Sequence, residues 1–304
     1  MTYDITTKTA PAMPKLGKGL DFVKLVLSQV SPDMREPIAP TLFDATAAHI
    51  SATEFLYPDQ SWKELCGMID ALSAGSAGGK GQLQGYVEAM MRFARKHDEV
   101  ELQKLVEWQR NMKSKGANKE KPIRPDVSFW FPPSDVTNAA FIQNAMACEQ
   151  GNAHTQYYNM PEVEMADKIC GGHKQVTQTI RNIYDKARAG ALRATAEGVT
   201  GNPVLRVNMN ISCTPGEARN FFKRDLFNGT LGRVAFSYKA RGNRDGHIPR
   251  RGEYDEDFLK KLDAYIVRLQ ACKGRHVVKP LNKLADRLAL DMAALADLTD
   301  DDTL

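Results

Sequence analysis

The stretch Ala74-Gly75-Ser76-Ala77-Gly78-Gly79-Lys80-Gly81 (AGSAGGKG) follows a short apolar run, 65–73 (LCGMIDALS), and leads into a segment with helical spacing. In that segment Leu83, Val87, Met90, Met91 and Ala94 fall on one face. Strand, glycine loop and helix in that order form the setting of a phosphate-binding loop, whose pattern is Gly or Ala, four residues, then Gly-Lys-Ser/Thr. Small residues let successive backbone N–H groups converge on phosphate oxygens, and the following helix adds its positive end. Lys80 is placed to reach β- and γ-phosphates. Gly81 stands where a Ser or Thr hydroxyl holds Mg²⁺, so water or Gln82 would have to fill that position. Without its context, the same stretch reads as a flexible glycine linker.

Outward from the loop, the pattern predicts an α/β chain. Residues 1–18 read as a lead-in rich in Thr, Pro, Lys and Gly; 20–30 and 41–50 read as helices, separated by Ser31-Pro32-Asp33. Residues 98–115 continue as a polar amphipathic helix, and 116–125 is a lysine-rich break. Further strands are expected at 127–131 (VSFWF), 155–160 (TQYYNM), 204–211 (VLRVNMNI) and 234–238 (VAFSY), with helices between them and from 255 onward. Such alternation points to a mostly parallel sheet. The division expected is a helical module at 1–60, a core at 61–254 and a helical extension with an acidic tail at 255–304.

Composition narrows the class. The 304 residues are 42% hydrophobic and 26% charged, with a net charge of +4. A mild basic excess permits nucleic-acid binding without requiring it. No apolar run is long enough to span a bilayer, and the first residues lack a signal-peptide core, so a soluble cytoplasmic protein is expected. Five cysteines without a CxxC pair fit reduced thiols. His49, His97, His154, His173, His247 and His276 are isolated, which argues against a His/Cys metal site. There is no GxSxG elbow for a nucleophilic hydrolase. Trp62, Trp108 and Trp130 read as packing residues.

The wider chain resembles a P-loop family of undetermined function found in bacterial mobile elements and prophages, often beside primase modules and helicase-like in character. The resemblance runs over 21–238 and rests on an ordered set of motifs: FLYPDQ (55–60) before the first strand, Gly79-Lys80-Gly81, FWFPPSDVTNAAFI (129–142), Pro161-Glu162-Val163-Glu164, Ser212-Cys213-Thr214-Pro215, and Asn228-Gly229-Thr230-Leu231-Gly232-Arg233. It departs from the family at Glu164 (usually Asp), Cys213 (usually Gly) and Gly232 (usually Ser). It implies a RecA/ASCE-like P-loop NTPase core that binds ATP and Mg²⁺. It also implies action on DNA, in single-stranded form, as a homo-oligomer with a possible primase partner and no membrane association.

Within that resemblance each residue has an implied role and a plain alternative. Glu162 is the candidate to orient water or Mg²⁺, or else an exposed glutamate in a proline turn; Glu164 is the second candidate. Thr214 and Asn210 are read as polar residues ending the strand beside the loop strand, able to sense the γ-phosphate. The alternatives are a helix cap before Pro215 for Thr214 and a strand residue facing a neighbouring backbone for Asn210. Arg233 is the candidate arginine delivered to a neighbouring subunit's phosphate, or else a surface salt bridge. The run 239–251, with Lys239, Arg241, Arg244, Arg250 and Arg251, could follow a nucleic-acid backbone, or be a solvated loop. The departures also allow a protein that keeps the fold without turnover.

Overall fold

The computed structural model describes residues 20–114, 122–151, 153–170, 176–190, 199–223, 229–240 and 252–299. The chain opens with three short helices, α1 (Asp21–Leu27), α2 (Arg35–Ile38) and α3 (Leu42–Ala47). Strands β1 (Thr53–Leu56), β2 (Trp62–Lys63) and β3 (Ile69–Ala74) lead to the loop and to helices α4 (Gly81–Met90) and α5 (Arg92–Ser114). There follow α6 (Asn138–Gln150), β4 (Gln156–Met160), α7 (Val163–Cys170), α8 (Val176–Tyr184), β5 (Val207–Cys213), α9 (Pro215–Phe222) and β6 (Ala235–Lys239). The chain closes with α10 (Glu256–Ala271), β7 (Gly274–His276) and α11 (Lys279–Thr299).

The main sheet has four strands in the order β4-β5-β3-β6, all parallel. All described residues of β3 and β5 are buried, as expected of central parallel strands covered on both faces. On one face Leu72 and Tyr157 join Val26, Leu42, Leu83 and Phe258 in one core. On the other, Ile69, Ala71, Val207, Met209 and Ile211 pack against Phe141, Ile169 and Ile180. The first core draws on residues from α1, α3, α4 and α10, so the N-terminal helices and α10 share one interior with the loop strand.

Three features differ from the sequence expectation. The apolar run expected at 65–73 forms its strand only from Ile69. Before it, Gly67 donates to Tyr184 O at 3.0 Å, and a Cβ there would lie 2.2 Å from Ile183 O. Residues 127–131 form no strand, because side chains satisfy the backbone instead. Asp98 accepts from the N–H groups of Trp130 (2.8 Å) and Phe131 (2.7 Å), Asn144 from Phe129 (2.7 Å), and Glu101 from Ser128 (3.2 Å). Finally, a small sheet β2-β1-β7 went unforeseen. In it the FLYPDQ stretch makes the β1–β2 hairpin, closed by Tyr57 N–H on Ser61 O at 3.0 Å. Among the described residues no helix is long and apolar enough to cross a membrane.

Candidate functional site

Residues 75–80 leave the carboxyl end of β3, a central strand, and pass directly into α4. The turn is built by two left-handed residues, Ala77 (φ 58°) and Gly79 (φ 91°), and closed by Gly78 N–H on Gly75 O at 2.9 Å. A Cβ on Gly78 would meet that same oxygen at 2.8 Å, so position 78 must be glycine. Among the described residues, the N–H groups of Ala77, Gly79, Lys80 and Gly81 have no acceptor. Left-handed residues just before a helix N-terminus are the backbone setting in which anion nests form. Lys80 arches back over the loop, with Nζ donating to Ala74 O at 3.3 Å. Ser76 and Gly75 are exposed at the rim.

Gly81 begins α4 with open space around it: a Cβ there meets nothing within 4 Å. Gln82 does not point to the loop. Its Oε1 accepts from Ser31 N–H at 2.9 Å and its Nε2 donates to Ser31 Oγ at 2.7 Å. The expected help of Gln82 in metal binding is therefore corrected: both ends of its amide are engaged with the N-terminal helices. The neighbouring turn also braces the loop. Met34 Sδ lies 3.2 Å from where a Gly79 Cβ would stand, and Asp33 pairs with Lys239 at 2.8 Å.

The register brings the carboxyl ends of β3, β4 and β5 to one edge, with Ser73 beside Cys213 and Met160 beside Ile211. Ligands of open parallel sheets sit at this edge. Glu162 is exposed in the turn after β4, its carbonyl accepting from Met165 N–H at 3.2 Å. Glu164 lies one residue into α7, also exposed. Burial raises the Cys213 thiol, while Lys80 lowers it and Glu217 and Glu164 raise it, so the charges of all three reach one point at the end of β5.

Thr214 is the N-cap of α9. Its Oγ1 accepts from Glu217 N–H at 3.4 Å, and Glu217 Oε2 accepts from Thr214 N–H at 2.7 Å, a complete capping box. Hydrogen bonds to the carboxyl from the Thr214 backbone N–H and side chain hold Glu217 below its ordinary range, and Lys80 adds to the effect. Glu217 was missed in the sequence, although Thr-x-x-Glu after a strand is a capping-box signature that would have singled it out.

Asn210 does not end its strand. β5 runs on to Cys213, and Asn210 sits fully buried beside Asp70, four residues, or roughly 13 Å, back from Ala74 at strand rise. Its Oδ1 accepts from Ser212 Oγ at 3.3 Å, and its Nδ2 has no acceptor among the described residues. Arg233 precedes β6 and so lies toward the amino edge of the sheet, away from the loop. It donates to Gly229 O at 2.9 Å and Asp185 Oδ2 at 3.3 Å, over the Tyr184 ring. Of the basic run, Lys239 is only 11% exposed and paired with Asp33; Arg241, Arg244, Arg250 and Arg251 lie outside the described residues, as do Asn228 and His173.

A cleft of about 1070 Å³ opens from Lys80 and Gly81 past the edge strand β4. Phe129, Phe131, Leu102 and Val136 supply apolar lining, and three cations, Lys80, Arg95 and Arg124, stand against four acids, Glu88, Asp98, Glu99 and Asp135. That mixture does not make a phosphate-backbone track. Among the described residues no group of three or more His, Cys, Asp or Glu side chains could hold a metal. The chain matches no family model, no curated protein and no solved structure.

Proposed function

We propose that this chain binds a nucleoside triphosphate at the 74–81 loop and hydrolyses it, as a RecA/ASCE-like P-loop protein. The observation that carries the reading is the loop itself: a glycine-rich turn whose amides have no acceptor among the described residues, at a helix N-terminus, under an arched lysine, at the carboxyl edge of a parallel sheet. The order β4-β5-β3-β6, with β5 between the loop strand and β4, supports the same type of core. Triphosphate fits these donors. The loop amides and the α4 terminus hold the phosphate oxygens, and Lys80 exchanges its bond to Ala74 O for one to phosphate. Glu217 is a carboxylate within the field of that lysine, and, with Glu164 at the start of α7 and Glu162 in the turn before it, serves to orient water. Mg²⁺ bound with the nucleotide would supply neutralisation of phosphate charge, and with no hydroxyl at 81 the carboxylates of Glu162, Glu164 or Glu217 would hold it through water.

Coupling of hydrolysis to single-stranded DNA, in the replication or mobilisation of a phage or mobile element, rests on the family resemblance. ATP turnover of the full chain with and without single-stranded DNA tests it, with Lys80→Ala as control. Equal turnover by the two proteins overturns the enzymatic reading, and absence of DNA stimulation overturns the coupling.

A second reading is favoured by Gly81 and by the closed Thr214 capping box: nucleotide gates assembly without turnover. Calorimetry with ATP and Mg²⁺ separates the two, since binding without hydrolysis supports the second alone.

A further inference from the structure

Helix α11 leaves the packed body. Every described side chain from Asp286 to Ala294 is exposed. Leu281, Leu284, Leu288 and Met292 are 55, 49, 52 and 40% exposed, and their spacing keeps them on one stripe of the helix. A 21-residue helix is marginal in water by itself, and in proteins it is packing of an apolar stripe that stabilises it.

The charges indicate what covers this stripe. Lys279, Lys283 and Arg287 lie in the first half with a single acid, Asp286. From Asp291 onward the sequence carries Asp297, Asp300, Asp301 and Asp302, and neither Lys nor Arg. This gradient opposes the helix dipole, which favours acids at the start and bases at the end. The charge order therefore works against the lone helix. An antiparallel copy reverses the sign of that effect, setting each basic half against an acidic half and each dipole against its opposite. An anionic surface, by contrast, would repel the acidic half.

We propose that α11 is a self-association helix, through which two copies of this chain pair antiparallel about a two-fold axis near Leu288. Leu284 of each copy then faces Met292 of the other. The arrangement is isologous and closes at two subunits. It is independent of the nucleotide reading.

Sedimentation equilibrium of the full chain across the micromolar range tests it. The expected result is a dimer that weakens with added salt, because the flanking charge pairs are screened. Leu284→Asp with Leu288→Asp gives a monomer whose far-ultraviolet circular dichroism loses no more than the helical signal of α11. A wild-type monomer throughout, or a dimer that survives both substitutions, overturns the proposal. Direction is read by oxidative cross-linking against the wild-type background. Leu284→Cys with Met292→Cys cross-links between copies, whereas Leu284→Cys alone does not. Equal cross-linking by the single variant means parallel helices and overturns the antiparallel arrangement.

Discussion

Gln82, one residue into the helix that follows the 75–80 loop, holds Ser31 by both its backbone and its hydroxyl, at 2.9 and 2.7 Å. The two residues are far apart in sequence, and Ser31 is fully buried. The N-terminal helices are thereby fastened to the start of α4, while Met34 occupies the space a side chain at Gly79 would need and Asp33 holds Lys239 at the far side of the loop. The loop keeps its shape because a separate part of the chain braces it from outside.

Gln82→Ala removes the brace and leaves the Ser31 N–H buried without an acceptor. A buried orphaned donor costs about 1–3 kcal/mol. The midpoint of urea unfolding should fall accordingly, with little change in slope. An unchanged midpoint would show that the contact contributes nothing to stability.

The glycines of the loop are not equivalent. Gly78→Ala forces a methyl group to 2.8 Å from Gly75 O, whereas Gly75→Ala and Gly81→Ser meet nothing within 4 Å. Triphosphate affinity, read by calorimetry, should collapse in Gly78→Ala and persist in Gly75→Ala. Gly81→Ser should add a few tenths of a kcal/mol to stability, as Ser is the better helix residue. It should also raise nucleotide affinity only when Mg²⁺ is present. A gain without Mg²⁺ would mean that the new hydroxyl does not reach the metal.

Asp98 carries the backbone of the extended segment before α6 by accepting from Trp130 and Phe131 N–H together. Burial raises its carboxyl above the ordinary range despite the hydrogen bond from His97 and these two N–H groups. Hydrogen bonds to a charged group contribute about 1.5–3 kcal/mol each. Asp98→Ala should therefore cost about 3 kcal/mol or more and loosen the stack of Trp130 between His97 and His154, whose rings lie 3.8 and 4.0 Å from it. Tryptophan fluorescence would report the loss. An unshifted spectrum and unchanged stability would show that the segment is held by packing alone.

This segment also shows why part of the fold was hidden in the sequence. The run VSFWF has strand composition, but a strand needs a ladder of backbone bonds; here Tyr157 N–H on Trp130 O is a single one, and the N–H groups of 128–131 go to Asp98, Glu101 and Asn144. The loop and the parallel strands were legible because their signals are local: small residues before Lys80, and short apolar runs at regular intervals. The sheet neighbours of Asn210 and the partner of Gln82 depend on contacts across the fold, which neither periodicity nor composition encodes. The capping box at Thr214 and Glu217 was legible in principle, because its two residues lie three apart.

Asp70 supplies the last prediction. It sits on β3 beneath the loop, 4% exposed, and burial pushes its carboxyl up to about 7 from 3.8. Asp44, fully buried nearby, is raised in the same direction by burial and by Asp70. Between pH 3.8 and about 7 the folded chain holds a proton at Asp70 that the unfolded chain has released. By linkage, stability falls as pH rises through that window. The contribution is complete below the lower value and gone above the upper one, and at about 1.4 kcal/mol per unit it amounts to a few kcal/mol. Asp70→Asn keeps the shape and removes the titration, so it should be more stable than the wild type at pH 8 and should flatten the profile between pH 4 and 7. Urea midpoints at pH 5 and pH 8 decide it: a wild-type chain equally stable at both means that Asp70 is already ionised in the fold at pH 5.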